Sequence, residues 1–464
     1  MIDLKGKKIG ILGLGEENIA LAKYLLDRHL NFVICDQKKA GELGEISEQV
    51  KNWPVDFRLG PDYLRDLKDF DLVFRTPGLP YFHPKIQAAK AAGVKIFSQT
   101  KFFFSACPCP IIGITGTKGK GTTATLISEI LKKSPIANRQ SQIFLGGNIG
   151  HPPIIFLDQL KKNDLVVLEL SSFQLQDLHQ SPHLAVILDI KVDHLDYHKD
   201  EKEYIEAKGN IVRFQEKSDF AVINADYLTS FELGLLSSGE VFWFSRRKSI
   251  DQGVWVKNGQ EFILRYQNKE YPIIKTADVR LRGEHNWENI AAAAATSFLA
   301  GVDLDSIRKT IESFPGLEHR LEFIAQINGV KFYNDSFSTT PDTAIAAITS
   351  FGEPIVLIAG GSEKGADYTG LGKAIVSSKV KTVILIGKTG PKIKEKIQSS
   401  LRRKKKKIKL IDKIENFKKA VSEARKEAKP GDVILLSPAS ASFDWFRDYK
   451  DRGNQFKSLV VGEF

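Results

Sequence analysis

Residues 111–123 read IIGITGTKGKGTT and decide how the centre of the chain folds. The apolar run 111–115 predicts a buried strand, and the apolar spacing over 122–132 predicts an amphipathic helix. The six residues GTKGKG connect the two. A glycine-rich turn from a strand into a helix is typical of phosphate-binding sites, because the first N–H groups of a helix have no partner within it.

The composition of this turn suits the phosphates of ATP; the alternative is a turn without a ligand. Its glycines let the backbone fold back and direct several N–H groups at one point, while Lys120 adds a positive charge. The strict P-loop pattern is not met, since the leading Gly113 comes one position early and Gly121 replaces Ser or Thr. The metal-binding hydroxyl would then come from Thr122 or Thr123. The predicted ATP-binding loop comprises Gly116, Thr117, Lys118, Gly119, Lys120, Gly121, Thr122 and Thr123.

Strand-like and helix-like segments alternate along the whole chain, which predicts an α/β fold with mainly parallel sheets. We expect a Rossmann-like N-terminal domain over 1–108, a central P-loop ATPase-like domain over 109–314 and a C-terminal Rossmann-like domain over 315–464. A length of 464 residues agrees with three domains at about 150 residues each. In the central domain, the alternation of apolar and polar residues over 239–274 predicts antiparallel strands.

Apolar runs locate the individual elements. Strands are predicted at residues 8–15, in a run ending at 36, and at 71–74, 94–97, 111–115, 165–170, 185–190, 331–333, 355–359, 383–386, 408–411 and 433–437. An alanine-rich helix is predicted over 289–299.

The composition excludes several classes of protein. Hydrophobic residues make up 42% and charged residues 27%, so the chain is neither disordered nor collagen-like. Cys35, Cys107 and Cys109 lack metal-binding spacing and favour a reducing compartment. The N-terminus shows no signal peptide, and no apolar run approaches the roughly 18 residues of a membrane span. We therefore expect a cytoplasmic protein without membrane insertion.

The net charge of +11 is concentrated in one segment. Residues 388–429 contain 17 Lys and Arg against 5 Asp and Glu, a local net charge of +12. The basic run 402–407 lies between a predicted helix and a predicted strand. Such turns lie at the N-terminal edge of a parallel sheet, whereas ligands bind at the carboxyl ends of the strands. We therefore expect a solvated loop, and no nucleic acid as a partner.

Polar residues that follow buried strands are further candidates for the site. Glu169 ends one strand and either reaches a metal ion at the phosphate loop or caps the next turn. His194 follows another strand and is either a ligand or an ordinary hydrogen-bonded group. Lys208 lies in a predicted helix and, taken alone, is a solvated lysine. GLGEEN at 13–18 is a broken dinucleotide motif, and Asp36 ends the next strand.

Seven motifs occur together and in order along the chain. They are GITGTKGKGTT (113–123), LELSSFQL (168–175), DHLDYH (193–198), GEHNWEN (283–289), GLEHR (316–320), YNDSFSTTP (333–341) and LLSPASASFDWFRDYKDRGNQF (435–456). This ordered set resembles the Mur ligase family over essentially the whole chain, and most of all those members that add D-glutamate.

The resemblance implies an ADP-forming ligase of peptidoglycan precursor synthesis. Its substrates would be ATP, UDP-N-acetylmuramoyl-L-alanine (UDP-MurNAc-L-alanine) and D-glutamate, joined through an acyl phosphate. It further implies two Mg²⁺ ions, a carbamylated lysine and ATP held between the second and third domains. We also expect a monomer.

The resemblance implies roles for residues that match the family's motifs. The catalytic set would be Lys120, His194 and Lys208. Metal ligands would be Thr122, Glu169, His194 and Lys208, the last as a carbamate that forms from a neutral amine. Nucleotide contacts beyond the loop would be Asn286, Asn289, Arg320 and Asp335. Contacts with the UDP precursor would be Gly13, Gly15, Asp36, Thr76, Gly78 and Asn148. Contacts with D-glutamate would be Thr339, Lys364, Ser442 and Tyr449.

Five positions depart from the family pattern, and two of them are Glu16 and Glu17, which replace less acidic family residues. Phe337 stands where the family usually has lysine, Tyr449 where phenylalanine is common, and Lys118 where the loop normally has asparagine. We interpret Lys118 as a partial replacement for the lysine missing at 337.

Other functions stay open. One is a related amide ligase of the folylpolyglutamate synthase type, whose phosphate loop also has glycine after lysine; the C-terminal run SPASASFDWF argues against it. Another is a nucleic-acid-dependent ATPase built on the phosphate loop and the basic segment. A third is nucleotide binding without turnover.

Overall fold

The protein is described here by a computed structural model that covers residues 3–136, 141–191, 197–363, 365–402, 404 and 406–462. The chain forms two compact units. The first comprises Met1–Asp278 and Glu288–Ile311, and the second comprises Val279–Trp287 and Glu312–Phe464. The first unit holds two sheets and the second holds one.

The first sheet has five parallel strands in the order β3-β2-β1-β4-β5. Its elements are β1 (Ile9–Leu12), α1 (Glu16–Leu26), β2 (Phe32–Asp36), α2 (Glu45–Val50), β3 (Asp56–Leu59), β4 (Leu72–Arg75), α3 (Pro84–Ala91), β5 (Lys95–Phe97) and α4 (Gln99–Ala106). Strands β1 and β4 are buried along their whole length, as expected for a parallel sheet covered by helices. The short, partly exposed strand β3 has no apolar run, and the sequence did not predict it.

The second sheet has nine strands in the order β14-β13-β12-β11-β10-β9-β6-β8-β7. Its elements are β6 (Ile111–Thr115), α5 (Lys120–Lys133), β7 (Ile143–Gly147), β8 (Leu165–Glu169), α6 (Ser172–Leu175), β9 (Leu184–Ile187), α7 (Glu201–Arg213), β10 (Phe220–Asn224), α8 (Leu228–Gly234), β11 (Glu240–Ser245), β12 (Gly253–Lys257), β13 (Glu261–Tyr266), β14 (Lys269–Lys275), α9 (His285–Leu299) and α10 (Leu304–Ser313). Strand β6 coincides with the predicted strand 111–115.

The prediction of antiparallel strands over 239–274 is wrong for β11. This strand pairs in parallel with both β10 and β12, and only the pairs β12–β13 and β13–β14 are antiparallel. Apolar alternation reports which face of a strand is buried, and it carries no information on the direction of the neighbouring strand.

The third sheet has six strands in the order β15-β16-β20-β17-β18-β19. Its elements are β15 (Glu322–Ile327), β16 (Val330–Asn334), α11 (Pro341–Thr349), β17 (Ile355–Gly360), α12 (Thr369–Ser377), β18 (Val380–Ile386), α13 (Gly390–Leu401), β19 (Lys409–Ile411), α14 (Phe417–Glu427), β20 (Val433–Leu436) and α15 (Tyr449–Val461). The five predicted strands are confirmed, and β15, which was not predicted, adds one antiparallel edge. A turn at Asn328 and Gly329, both with positive φ, joins β15 to β16, so the Asn-Gly pair was the overlooked hairpin signal.

The basic run 402–407 connects α13 to β19, as predicted, and Arg403 and Lys405 lie outside the described residues. The Lys406 ammonium donates to the Ser378 carbonyl at the end of α12, and desolvation lowers its pKa. One lysine of the run therefore caps a helix instead of being fully solvated. Among the described residues, no helix combines the length and the apolar character that crossing a membrane requires.

A buried ion pair links the first sheet to the second within the first unit. The guanidinium of Arg75, at the end of β4, lies 3.1 Å from the Asp177 carboxylate, and both side chains are fully buried. Arg75 also donates to the Tyr197 hydroxyl at 3.0 Å. A second contact joins Phe103 in α4 to Phe156, which precedes the predicted strand 165–170: their rings meet edge to face with centres 5.8 Å apart. The C-terminal edge of β4 is therefore anchored to the central sheet.

We expect Arg75→Met to lower the free energy of unfolding by about 3–5 kcal/mol, because it leaves the Asp177 charge buried without its partner. Urea unfolding of the full chain measures this change. The matched control is Asp158→Ala, which breaks an exposed ion pair with Arg28 and should cost less than about 1 kcal/mol. An equal loss in the free energy of unfolding for the two variants would contradict the prediction.

Candidate active site

The predicted phosphate loop forms the turn between β6 and α5. Gly119 precedes the helix with φ +85°, a left-handed conformation in which a side chain is strained. A Cβ there would also lie 2.1 Å from Oδ1 of Asn289. The same Asn289 oxygen accepts a hydrogen bond from the Thr123 hydroxyl at 3.3 Å. Glycine at 119 therefore allows α9 to approach the loop closely, and two predicted nucleotide-binding residues meet there.

Asp189, which was not among the predicted site residues, holds the outer part of the loop. Its carbonyl accepts from Thr117 N at 2.7 Å, and its carboxylate accepts from Lys118 N at 3.1 Å. The hydroxyl of Thr117 contacts the Tyr204 hydroxyl at 3.0 Å. Asp189 follows β9, the parallel neighbour of β6, whereas the predicted strand 185–190 included it; a strand that ends before the polar Asp189 would have identified it as a candidate.

Two lysine side chains point at backbone carbonyls of the loop. Nζ of Lys120 donates to the Thr117 carbonyl at 3.1 Å, and Nζ of Lys208 donates to the Gly116 carbonyl at 2.9 Å. Lys208 is only 2% exposed and its ammonium lies 4.9 Å from the centre of the Tyr204 ring. The interpretation of Lys208 as a solvated lysine is therefore wrong: α7, which begins at the Asp200 cap, packs this residue against the phosphate loop.

Glu169 ends β8 beside the loop and is buried. Its Oε1 accepts from the side-chain amide of Asn148 at 3.3 Å, so a predicted metal ligand and a predicted precursor contact touch each other. The carboxylate lies at the same sheet edge as the loop because β8 pairs in parallel with β6, with Glu169 opposite Ile114. Thr122, the other predicted oxygen ligand, is buried in the first turn of α5.

Two predicted residues, His194 and Lys364, lie outside the described residues. Among the residues that the structure does describe, no group of three or more His, Cys, Asp or Glu side chains is suited to a metal ion. His198, from the same motif as His194, is engaged elsewhere: its ring nitrogens contact Glu203 at 2.7 Å and Ser172 at 2.9 Å.

The predicted precursor-binding residues of the first sheet converge at its carboxyl edge. The Asp36 carboxylate accepts from Leu14 N at 2.7 Å, within the turn after β1. Thr76 approaches the same turn so closely that a Cβ on Gly13 would lie 2.6 Å from its methyl group, and one on Gly15 would lie 3.1 Å from its hydroxyl. This edge lies where the strand order reverses, between β1 and β4, which is the usual ligand position in such sheets. Gly78 lies in the exposed turn beyond β4.

Asn18 explains how the broken dinucleotide motif still forms a tight turn. Its buried side-chain amide donates to the carbonyls of Leu12 at 3.0 Å and Gly13 at 2.9 Å. Both carbonyls belong to the turn between β1 and α1, and that of Leu12 also accepts from Thr76 N at 2.9 Å. The asparagine therefore takes over part of the role of the missing glycine by stabilising the turn.

In the second unit, the predicted nucleotide and amino-acid contacts follow β16 and β20, which are adjacent. The Asp335 carboxylate accepts from Leu321 N at 3.1 Å and from the Ser437 hydroxyl at 2.7 Å. Thr339 lies in the loop after β16, and the buried Ser442 lies after β20. Asn286, also assigned to this unit, donates to the Arg282 carbonyl at 2.7 Å.

Arg452 connects the two loops that carry these residues. It is completely buried, and its guanidinium donates to the hydroxyl and carbonyl of Ser336 at 2.9 and 2.8 Å. It also donates to the carbonyls of Ser440 and Ala441 at 3.0 and 3.3 Å. Desolvation lowers the pKa of Arg452 to about 10. The sequence gives no signal that Arg452 is buried, because an arginine in a helix is usually exposed.

The three parts of the chain match three domain families. These are the Mur ligase MurD-like, N-terminal domain over 7–98, the Mur ligase middle domain over 114–297, and the Mur ligase, glutamate ligase domain over 319–440.

Two bacterial relatives cover nearly the whole chain. The UDP-N-acetylmuramoylalanine--D-glutamate ligase of Acetivibrio thermocellus is 40% identical, over 98% of this chain and 97% of the relative. The protein of the same name from Symbiobacterium thermophilum is 42% identical, over 98% of each.

Solved structures share the fold at lower identity. The UDP-N-acetylmuramate-alanine ligase MurC of Thermotoga maritima has a TM-score of 0.55 at 20% identity, over 98% of this chain and 99% of that chain. The pseudomurein peptide ligase type C of Methanothermus fervidus has a TM-score of 0.55 at 18% identity, over 98% of this chain and 99% of that chain. Together with the three domain families, these matches confirm a three-domain α/β fold with mainly parallel sheets.

Desolvation raises the pKa of Asp335, which is 2% exposed, from 3.8 to about 6. In the unfolded chain Asp335 loses its proton at a lower pH than in the folded protein. The free energy of unfolding therefore falls as the pH rises from about 4 to 6, by about 3 kcal/mol in total. Asp335→Asn removes the titration. We expect its melting temperature, relative to that of the unchanged chain, to rise between pH 4.5 and 6 and to level off near pH 7.

Asp303→Asn is the control for this pH series. Hydrogen bonds from Ser306 lower the pKa of Asp303. The contribution of Asp303 to the free energy of unfolding therefore changes only at a pH below this series. Its melting temperature relative to the unchanged chain should be constant above about pH 5. A constant difference for Asp335→Asn over the same range would contradict the prediction.

Proposed function

This chain belongs to the Mur ligase family, and we propose that it joins D-glutamate to UDP-MurNAc-L-alanine with the conversion of ATP to ADP and phosphate. Relatives of about 40% identity that cover nearly the whole chain carry the name UDP-N-acetylmuramoylalanine--D-glutamate ligase. The product is a precursor of peptidoglycan. The reaction belongs in the cytoplasm, where ATP and nucleotide-linked sugars are available.

The observation that carries the proposal is the phosphate loop with its buried surroundings. Asp189 holds the loop backbone on one side, and Lys208 contacts it from α7. Lys120 lies at the start of α5, where its charge adds to that of the helix N-terminus. A loop built in this way binds and orients the β- and γ-phosphates of a nucleotide.

In the proposed first step, the terminal carboxylate of UDP-MurNAc-L-alanine attacks the γ-phosphorus of ATP. The bond from this phosphorus to the bridging oxygen breaks, which gives an acyl phosphate and ADP. Negative charge accumulates on the phosphoryl oxygens, and the N–H groups of the loop stabilise it together with Lys120 and Lys118.

In the second step, the amine of D-glutamate attacks the acyl carbon. The tetrahedral intermediate then expels phosphate, and the nitrogen releases a proton to solvent. The loops after β16 and β20 would hold D-glutamate through the hydroxyls of Thr339 and Ser442, with Lys364 and Tyr449 completing the set. Arg452 keeps these two loops at a fixed separation, so its contribution is to orient the amine.

The side chains near the phosphate loop fit a hard cation such as Mg²⁺. Glu169 offers a buried carboxylate and Thr122 a hydroxyl, which are the oxygen ligands that Mg²⁺ prefers. A carbamate on Lys208 would add a second anionic oxygen ligand, and His194 is the remaining candidate. Bound Mg²⁺ would neutralise part of the charge on the transferred phosphoryl group.

We assign binding of the UDP precursor to residues 1–108, of ATP to 109–314 and of D-glutamate to 315–464. Support comes from the convergence of Gly13, Gly15, Asp36 and Thr76 at one sheet edge and from the loop at 116–123. For the third range, support comes from the match to the glutamate ligase domain.

We expect ADP release to require both UDP-MurNAc-L-alanine and D-glutamate. Coupled-enzyme detection of ADP with a panel of D- and L-amino acids measures this requirement, and L-glutamate is the matched control. Stimulation by DNA or RNA in the absence of these substrates would contradict the proposal and favour a nucleic-acid-dependent ATPase. Turnover with a folate acceptor would instead indicate the folylpolyglutamate synthase type.

We expect Lys208→Met to lower D-glutamate-dependent ADP release by about 100-fold or more, the scale of losing one charged group that acts on the transition state. In wild-type protein incubated with ¹³C-bicarbonate, NMR should show a carbamate carbon that is missing from the variant. Lys202→Met, at an 84% exposed side chain on the same helix, should leave the rate within twofold. Full activity of Lys208→Met would refute the carbamate role.

A further inference from the structure

We propose that Cys107 and Cys109 form a redox-active dithiol, in which Cys107 attacks a low-molecular-weight disulfide and Cys109 then closes an internal disulfide bond. The two residues stand on either side of Pro108, in the segment between α4 and β6 of the first unit. This segment lies outside the phosphate loop and the predicted substrate contacts, so its chemistry does not depend on the proposed function.

The two thiol groups already lie in contact. Sγ of Cys107 is 3.6 Å from Sγ of Cys109, and one thiol donates a hydrogen bond to the other. When Cys107 carries its own proton, its thiol also reaches the Cys109 carbonyl at 3.4 Å. Since a disulfide bond is about 2 Å long, the sulfur atoms need to approach each other by only about 1.5 Å to form it.

Two prolines hold the segment in an extended conformation. Pro108 and Pro110 each fix their own φ at about −65°, and each disfavours a helical conformation in the cysteine before it. Cys107, which follows the last residue of α4, has φ −62° and ψ 123° and is extended as this rule requires. The Cα atoms of residues two positions apart are separated by at most about 7 Å. Disulfides form up to about that separation, so the backbone permits the bond.

The two cysteines differ in a way that suits attack by one and resolution by the other. Cys107 is partly exposed and precedes the exposed Pro108, whereas Cys109 is buried in the core of the first unit. The hydrogen bond with Cys109 lowers the pKa of Cys107, and the same contact, together with burial, raises the pKa of Cys109. Cys107 is therefore the thiol that ionises first, and the thiolate is the nucleophilic form of cysteine.

Cys35, the third cysteine of the chain, provides an internal comparison. It lies in β2 and is completely buried. Desolvation raises its pKa to about 11. A buried thiol of this kind is chemically inert, so the pair at 107 and 109 should react while Cys35 does not.

The reaction is a two-step thiol–disulfide exchange. The Cys107 thiolate attacks one sulfur of a disulfide such as glutathione disulfide, whose S–S bond breaks and releases one thiolate. Cys109 then loses its proton to solvent and attacks the Cys107 sulfur, which releases the second thiol. The two cysteines together lose two electrons, and one molecule of the small disulfide is reduced to two thiols.

The bond should form reversibly. A loop closed over a single intervening residue removes little entropy from the unfolded chain, so the bond adds little stability. Disulfides that are exposed or strained are readily reduced by a pool of free thiols. In a reducing compartment the pair would therefore rest as a dithiol and oxidise only transiently.

Peptide mapping of the full chain after incubation with glutathione disulfide tests the proposal. The remaining thiols are alkylated before denaturation, and trypsin then releases residues 102–118, which contain both cysteines of the pair and not Cys35. We expect this peptide to lose the mass of two hydrogen atoms and to carry no alkyl group. Cys35 should stay unmodified until the chain is unfolded.

Single variants assign the two roles. Cys109→Ser removes the resolving thiol, so a glutathione adduct should accumulate on Cys107. Cys107→Ser leaves only the buried thiol of the pair and should form its adduct at least about tenfold more slowly. Cys35→Ala is the matched control and should close the internal bond within about twofold of the rate of the unchanged chain.

A glutathione adduct that accumulates on the unchanged chain without closing to the internal bond would overturn the proposal. Two thiols that stay free, or modification of Cys35 as fast as that of Cys107, would overturn it as well. Because the readout is the mass of a peptide, the presence or absence of D-glutamate-dependent ADP release bears only on the proposed function.

Discussion

The candidate active site depends on the parallel pairing of β6 with β8 and β9. In a parallel sheet, neighbouring strands end at the same edge, so the segments that follow them are brought together. The register places Ile114 opposite Glu169 and Thr115 opposite Ile187. This register brings three features to one edge of the sheet: the phosphate loop, the Glu169 carboxylate and Asp189. The other two sheets use the same principle. Asp36 at the end of β2 and Thr76 after β4 both approach the turn that follows β1, and Asp335 and Ser437 meet beyond β16 and β20.

The surroundings of these edges contain polar and strained groups that reduce stability. Asp335 has a raised pKa because it is buried, Arg452 is buried among carbonyls, and His319 and Leu321 adopt left-handed conformations. Each of these features costs free energy that apolar packing elsewhere must offset. They occur in the segments that carry the predicted nucleotide and amino-acid contacts, where a precise orientation of side chains is needed. In the first unit, Lys208 is likewise a buried charged group, and it lies against the phosphate loop.

Much of the fold could be predicted because its signals are local. The strands β6, β16, β17 and β20 are short apolar runs bounded by turn residues, and the loop at 116–121 is a glycine pattern. The errors have physical reasons. The strand β3 lies at an exposed edge of its sheet and has no apolar pattern. In β11, apolar and polar residues alternate, and this alternation does not specify whether the neighbouring strand is parallel or antiparallel. The hairpin at Asn328 and Gly329 carried a clear local signal and should have been recognised.

The sequence by itself determined the phosphate loop, the order of three α/β domains and the family, since motif spacing and periodicity are properties of adjacent residues. Tertiary structure decided which side chains are buried and what they touch. Lys208 changed from a solvated lysine to a buried contact of the loop, because α7 packs against a turn that lies far away in the chain. Likewise, Phe337 and Tyr449 were separate departures in the sequence, and they became one aromatic contact next to Arg320 only because α15 begins beside the loop after β16.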